Sequence, residues 1–206
     1  MDFTVFGSDV LFAGRDTSGD YNLWITNGTQ AGTSELNVAG AYSGAVLYYA
    51  AYANPDFTVF GSEVLFDGFD ASEHLSLWVT NGTAAGTSEV QVAQAYSAGL
   101  FYNAANPDFT IIGGKALFAG FDKNGYDNLW VTNGTTAGTS ELTSSSAYSY
   151  RLFYYQVNPN ITVLNNSEGV FEGNHVLGNR SPWVTNGTSA GTSEPMVMSA
   201  DHRQFY

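Results

Sequence analysis

Short apolar runs rich in Val, Phe, Leu and Thr alternate along the whole chain with clusters of Gly, Asn, Asp and Ser, a pattern that predicts short strands rather than helices. In the second quarter of the chain the runs near 57–60, 64–68 and 77–81 predict three strands, and a fourth is predicted near 88–94. The run VLFAG or VLFDG is almost continuously apolar, as in a strand covered on both faces, whereas a strand with one wet face would alternate. The same order of runs recurs four times. DFTVFGSDVLFAG, DFTVFGSEVLFDG, DFTIIGGKALFAG and NITVLNNSEGVFEG open the copies, and each continues through a tryptophan strand into NGT, then AGTSE. Trp24, Trp78, Trp130 and Trp183 mark one position, 54, 52 and 53 residues apart. A period of this size denotes a solenoid, a propeller or an array.

Four strands per copy make one propeller blade. The expected fold is therefore all-β: a four-bladed β-propeller of four tandem repeats of about 52 residues, forming a single domain over 1–206 with repeats at 2–55, 56–107, 108–159 and 160–206. Phase supports a closed ring. Phe101 and Phe153 each lie 12 residues beyond the glutamate of their TSE motif, and Phe205 lies 11 beyond Glu194, so chain start and chain end fall at nearly the same place in the repeat. A β-trefoil would need three copies, a solenoid would need atypical caps at both ends, and a larger ring assembled from two chains is the next alternative. Only the fourth copy departs from the pattern.

Composition narrows the partners. Hydrophobic residues make up 44% and aromatics 15%, enough for a packed core, while 6 Lys and Arg stand against 19 Asp and Glu for a net charge of −13. Nucleic acid and anionic membrane surfaces need the opposite sign. No apolar run approaches a membrane span, so no membrane insertion is expected. The chain has no cysteine, which removes disulfides, thiolate metal sites and a Cys nucleophile. An acidic, Lys-poor chain rich in Gly, Ser, Thr and Asn suits an extracellular or cell-surface location, although the N-terminus carries no basic region followed by an apolar one to mark the export route.

The segment LWVTNGTAAGTSE resembles the ELWxxDGTxxGT repeat of bacterial extracellular, hyalin-type β-propeller proteins, and the resemblance covers all four copies. It implies a secreted or surface-exposed propeller and says little about function. Asn27, Asn81, Asn133 and Asn186 stand where that family usually has Asp. At the level of architecture, repeated β-folds with aromatic, amide-rich loops also look like bacterial lectins.

Several motifs bear on chemistry. NGT followed by AGT reads as a tight turn, Asn-Gly supplying positive φ and Thr hydroxyls bonding to backbone; its second reading, an N-glycosylation acceptor, needs a eukaryotic secretory pathway. The tryptophans read as inter-blade core, or alternatively as sugar-stacking platforms. Glu35, Glu89, Glu141 and Glu194 recur despite the low charge content, either tying down turns at the start of a strand or binding ligand. Asp16, Asp70 and Asp122 follow the second strand of their copies. In DTSGDYN and DKNGYDN they resemble a calcium loop, but DASEHLS and NHVLGNR break the ligand spacing, so no cofactor is expected and calcium is the sole metal alternative.

The connections AYSGAVLYYAAYANP, AYSAGLFYNAANP and AYSYRLFYYQVNP are more aromatic than a link between strands requires. They place Tyr42, Tyr96 and Tyr148 in register, with Asn54, Asn106 and Asn158 before proline and Arg151 in the third. Binding usually resides in loops on a rigid scaffold, and Tyr gives large, rigid contact area at small entropic cost. Tyr rings against apolar sugar faces, with Asp, Asn and Arg gripping hydroxyls, would make a glycan site; the fourth copy replaces AYS by SADH, so such sites should number up to three. The bland reading is hydrophobic closure or an oligomer interface, in the simplest case of a homodimer. His74, His175 and His202 occupy unrelated repeat positions, and neither a nucleophile elbow nor a phosphate loop is present, so an enzyme is not expected. The leading expectation is a multivalent carbohydrate-binding protein of bacterial lectin type. Its rival is a structural or adhesive surface module, or a fragment of a larger extracellular propeller protein.

Overall fold

In the computed structural model, residues 3–42, 45–47, 55–102, 107–144, 147, 151–153 and 159–195 are described. They form four antiparallel sheets in chain order. The first holds β1 (Phe3–Phe6), β2 (Asp9–Arg15), β3 (Tyr21–Thr26) and β4 (Thr33–Glu35). The second holds β5 (Thr58–Phe60), β6 (Glu63–Phe69), β7 (Leu75–Thr80) and β8 (Thr87–Glu89), and the third holds β9 (Thr110–Ile112), β10 (Lys115–Phe121), β11 (Asp127–Thr132) and β12 (Ser140–Glu141). The fourth comprises β13 (Thr162–Asn165), β14 (Glu168–Asn174) and β15 (Arg180–Thr185), with a lone bridge from Val184 to Ser193 where the other sheets have a fourth strand. Each is a meander of neighbouring hairpins. The predicted fourth strand at 88–94 is three residues long and ends at Glu89, because beyond Val90 the chain turns and bridges to the third sheet through Ala95 and Asp122.

Alternation along each strand sends side chains to two neighbours. Phe66 and Trp78 face the first sheet and pack with Leu11, Leu23 and Leu36; Leu65, Leu77 and Val79 face the third and pack with Phe118 and Trp130. Leu117, Leu129 and Val131 meet Phe171 and Trp183 of the fourth in the same way. A stacked Phe–Trp pair recurs in every sheet with centroids 6.3 to 6.5 Å apart. Trp78, Trp130 and Trp183 are fully buried, so these tryptophans are core residues. Trp24 is only partly buried and Phe3, on the same face of the first sheet, is 59% exposed. Among the described residues no apolar layer joins the fourth sheet to the first.

The connections stitch one sheet to the next. Phe101 N–H donates to Leu75 O of the second sheet while Leu100 O accepts from Phe121 N–H of the third, and Leu152 and Phe153 repeat the arrangement between third and fourth. Val46, Leu100, Phe101, Leu152 and Phe153 are all buried. The hydrophobic-closure reading therefore holds for this part of the connection. A second stitch lies at the first strand of each copy, where Asp56 accepts from Phe109 N–H at 3.3 Å and Asp108 from Asn160 N–H at 3.0 Å.

Candidate functional site

The two ends of the sheets are built differently. At one end, the four NGTxxGT segments share one side-chain hydrogen-bond pattern, with a single 3-10 turn in the second, third and fourth copies and a plain turn in the first. The Asn27, Asn81, Asn133 and Asn186 Oδ1 atoms each accept from the N–H of the threonine two residues on at 3.1 Å and from its hydroxyl at 2.6 to 2.7 Å. The second glycine is required, since a Cβ at Gly86 would lie 2.0 Å from Asn81 Oδ1. The motif is a structural turn, as read from the sequence.

At the opposite end, Asp16, Asp70 and Asp122 cap the hairpins between the second and third strands of their sheets. Asp70 Oδ1 accepts from Ser72 and His74 N–H, both at 2.8 Å, and Asp16 and Asp122 repeat this on 18 and 20 and on 124 and 126. That oxygen is thus committed to the turn. Asp122 Oδ2 is also occupied, by Asn124 Nδ2 at 3.0 Å, whereas Asp70 Oδ2 lies 3.5 Å from His74 Nδ1 with His74 38% exposed. In the fourth copy His175 stands in the Asp position, its Nδ1 accepting from Leu177 N–H, and its Nε2 lies 3.4 Å from Glu194.

Beside the Asp70 turn a groove of about 240 Å³ opens at the end of the second sheet. Asp70, His74, Ser76 and Glu89 of the sheet line it together with Val92, Tyr96, Ser97 and Gly99 of the connection. Tyr96 is held by its N–H donating to Phe121 O, by an edge contact to Tyr102 at 5.3 Å, and by its ring lying against Gly125 of the next turn. Glu89 sits cross-strand from Trp78 at the end of β8, not at a strand start as the motif suggested. Burial, then the neighbouring Asp70, raise its carboxyl above the ordinary range, opposed by its hydrogen bonds to Ser76 and Gln91 and by His74. Glu35 and Glu141 are raised in the same way, by burial first and then by Asp16 and Asp122 respectively. A carboxylate pair is therefore a repeated feature of the first three copies.

The copies differ in what crosses this place. Asn22 Oδ1 accepts from Val46 N–H at 3.1 Å; Asn128 Oδ1 accepts from Leu152 N–H at 2.7 Å while its Nδ2 donates to Glu141 at 2.7 Å. The second copy has Ser76 here, too short to span from the glutamate to the connection. Gly99 follows at φ +116, where an added Cβ would meet Leu75 O at 2.7 Å. Small residues at both positions leave the space of the groove. In the third copy the residue in register with Gly99 is Arg151, whose guanidinium carbon lies 4.2 Å above the ring of Tyr126, the residue in register with His74.

Of the residues singled out from sequence, the structure thus brings Asp70 and Tyr96 into one groove, places Asp16 and Asp122 as turn caps beside Glu35 and Glu141, and puts Arg151 on Tyr126. Tyr42 is half-buried at the start of the first connection. Tyr148, Asn54, Asn106 and Asn158 lie outside the described residues. His74 and Ser76 were missed; the available signal was a polar residue at the second position of the apolar strand β7, LSLWVT.

No family model matches the chain and no curated protein matches it. Solved structures do. A puromycin hydrolase mutant complexed with PGG is similar over 95% of this chain and 29% of its own, with a TM-score of 0.53 at 11% identity. A protein described as TolB from Agrobacterium tumefaciens is similar over 91% of this chain and 61% of its own (TM-score 0.46, 8% identity), and TolB from Acinetobacter baumannii over 87% and 38% (0.44, 8%). The chain therefore spans less than two thirds of each of these structures. At such identities the likeness concerns the fold alone. Together with the four antiparallel sheets, the puromycin hydrolase match defines an all-β fold of β-propeller type.

Proposed function

We propose that this chain is a non-catalytic, multivalent carbohydrate-binding protein of the cell exterior, carried on a four-bladed propeller, with up to three related sites at the Asp-turn ends of its first three sheets. The observation that carries the reading is the groove at the second sheet. It gathers Tyr96 and the hydrogen-bonding groups of Asp70, His74, Ser76 and Glu89 around one space that suits a small hexose-sized ligand. Concave sites with few, fixed polar groups and an aromatic wall give orientation as well as affinity. Repetition on one body adds avidity on a glycan-coated surface.

A glycan array followed by titration calorimetry tests this. One to three sugars bound per chain is the expected result, with binding lost on Tyr96→Ala while the thermal transition shifts by no more than a few degrees. No binding to any glycan would overturn the reading. The alternative, a structural or adhesive module, is favoured by the partly exposed apolar face of the first sheet, where Phe3 is 59% exposed and Phe12 and Trp24 are only partly buried. It predicts instead a stable dimer by light scattering in a chain that binds no sugar.

A further inference from the structure

We infer that the groove at the second sheet selects a ligand carrying a protonated amine, so that the sugar it takes is an amino sugar with a free amino group rather than a neutral or N-acylated one. The inference deepens the carbohydrate reading and rests on it. Three observations lead to it.

The groove wall carries two carboxyl groups, Asp70 and Glu89, set close enough that Asp70 raises Glu89. Asp70 has one oxygen committed to its turn, and the other lies beside the partly exposed His74. A neutral hexose would leave this paired negative charge poorly compensated. A cation settles it, because its attraction to two partly desolvated carboxylates is stronger than in bulk water. The rest of the molecule acts in the same direction, since a net charge of −13 concentrates cations near its surface.

The third copy supplies the second observation. There the chain places a cation of its own, the Arg151 guanidinium, over the Tyr126 ring at 4.2 Å, at the two positions that in the second copy are Gly99 and His74 and line the groove. The third is steric. With Ser76 in place of Asn128 and glycine in place of arginine, the second copy lacks both the amide that spans this place and the guanidinium, leaving the two acids with His74 as the basic group beside them. Tyr96 remains as the ring face against which an ammonium or the apolar side of a sugar can lie.

The test is calorimetric titration of the whole chain, in mildly acidic buffer, with D-glucosamine, N-acetyl-D-glucosamine, D-glucose and methylammonium. The expected order is glucosamine tightest, with the N-acetylated and neutral sugars and methylammonium each at least about ten-fold weaker, the loss associated with one charge-assisted hydrogen bond. Affinity for glucosamine should fall as sodium chloride is raised. Glu89→Gln, which keeps shape and removes charge, should lower it by about ten-fold with unchanged thermal unfolding; should that variant fold poorly, the salt dependence of the unaltered chain decides. Equal binding of glucose and glucosamine, or salt-independent binding, would overturn the amine requirement and leave the carbohydrate reading standing. Methylammonium binding as tightly as glucosamine would do the reverse. Binding of none of the four would remove the inference, while the glycan array continues to judge the broader reading.

Discussion

The NGT end and the Asp end of the sheets come from the same four repeats, yet they have diverged to different degrees. Across the four NGT turns the asparagine-to-threonine hydrogen bonds agree within 0.1 Å. At the Asp end the cap is Asp, Asp, Asp and His; the next turn position with positive φ is Gly19, Glu73, Gly125 and Gly178; and the bridging residue is Asn22, Ser76, Asn128 and Ser181. Elements that hold the fold are uniform because any exchange in them breaks several hydrogen bonds at once. Freedom to vary is concentrated where the connection crosses the sheet end, and the second copy has used it to open a groove.

The sharpest test of that contrast lies in the framework itself, at Asp67. It stands where the first and third copies have Ala13 and Ala119, faces the third sheet, is 6% exposed, and its Oδ1 has no hydrogen-bond partner among the described residues. Burial, and secondarily Asp56, push its pKa up to about 8. From the ordinary aspartate range up to that pH the folded chain holds a proton the unfolded chain has released. Stability should therefore fall as pH rises through this window and level off above it. Asp67→Asn should flatten the slope, leaving the part due to the raised Glu35, Glu89 and Glu141, and be more stable than the parent at pH 8 by up to about 5 kcal/mol, measured by urea denaturation across pH. A flat profile in the parent would show that the framework absorbs this exchange as readily as the groove end does.

The next effect is smaller and concerns a turn. Asn81→Ala removes one acceptor that serves two donors, Thr83 N–H and its hydroxyl, at an exposed site. A loss of about 1–2 kcal/mol is expected, with glycan binding unchanged because the turn lies at the far end of the sheet. Loss of binding without loss of stability would reverse the assignment of the two ends.

Much of the framework was legible in the sequence because it repeats. The Trp position, the NGT turn and the continuous apolar second strand are each read four times, and β5, β6 and β7 fall within a few residues of their expected places. Two features were less legible. The short fourth strand makes one more ladder bond beyond Glu89, Val90 N–H to Leu77 O, and the chain then leaves the sheet to bridge the third through Ala95 and Asp122, a tertiary event with no local signature. The groove was half visible. Asp70 and Tyr96 stood out by register, but Ser76, His74 and Gly99 matter because they differ from the other copies. A search for what recurs passes over them.

That difference can be undone. Ser76→Asn would give the second copy the amide that the third uses to hold both connection and glutamate. Nδ2 of the new side chain should donate to Glu89, and Oδ1 should accept from the Leu100 N–H, as Asn128 does with Glu141 and Leu152. Two such bonds, partly offset by the loss of the Ser76–Glu89 contact, should stabilise the fold by less than about 1 kcal/mol. The same side chain would occupy the groove and engage its carboxylate, so ligand affinity should fall by about ten-fold or more. The combination is diagnostic, because a residue that served only the framework would move stability and affinity together. Opposite changes, seen by thermal unfolding and calorimetry on one variant, would mean that the second copy keeps its serine for the space it leaves; equal or improved affinity would place the binding surface elsewhere on the sheet end.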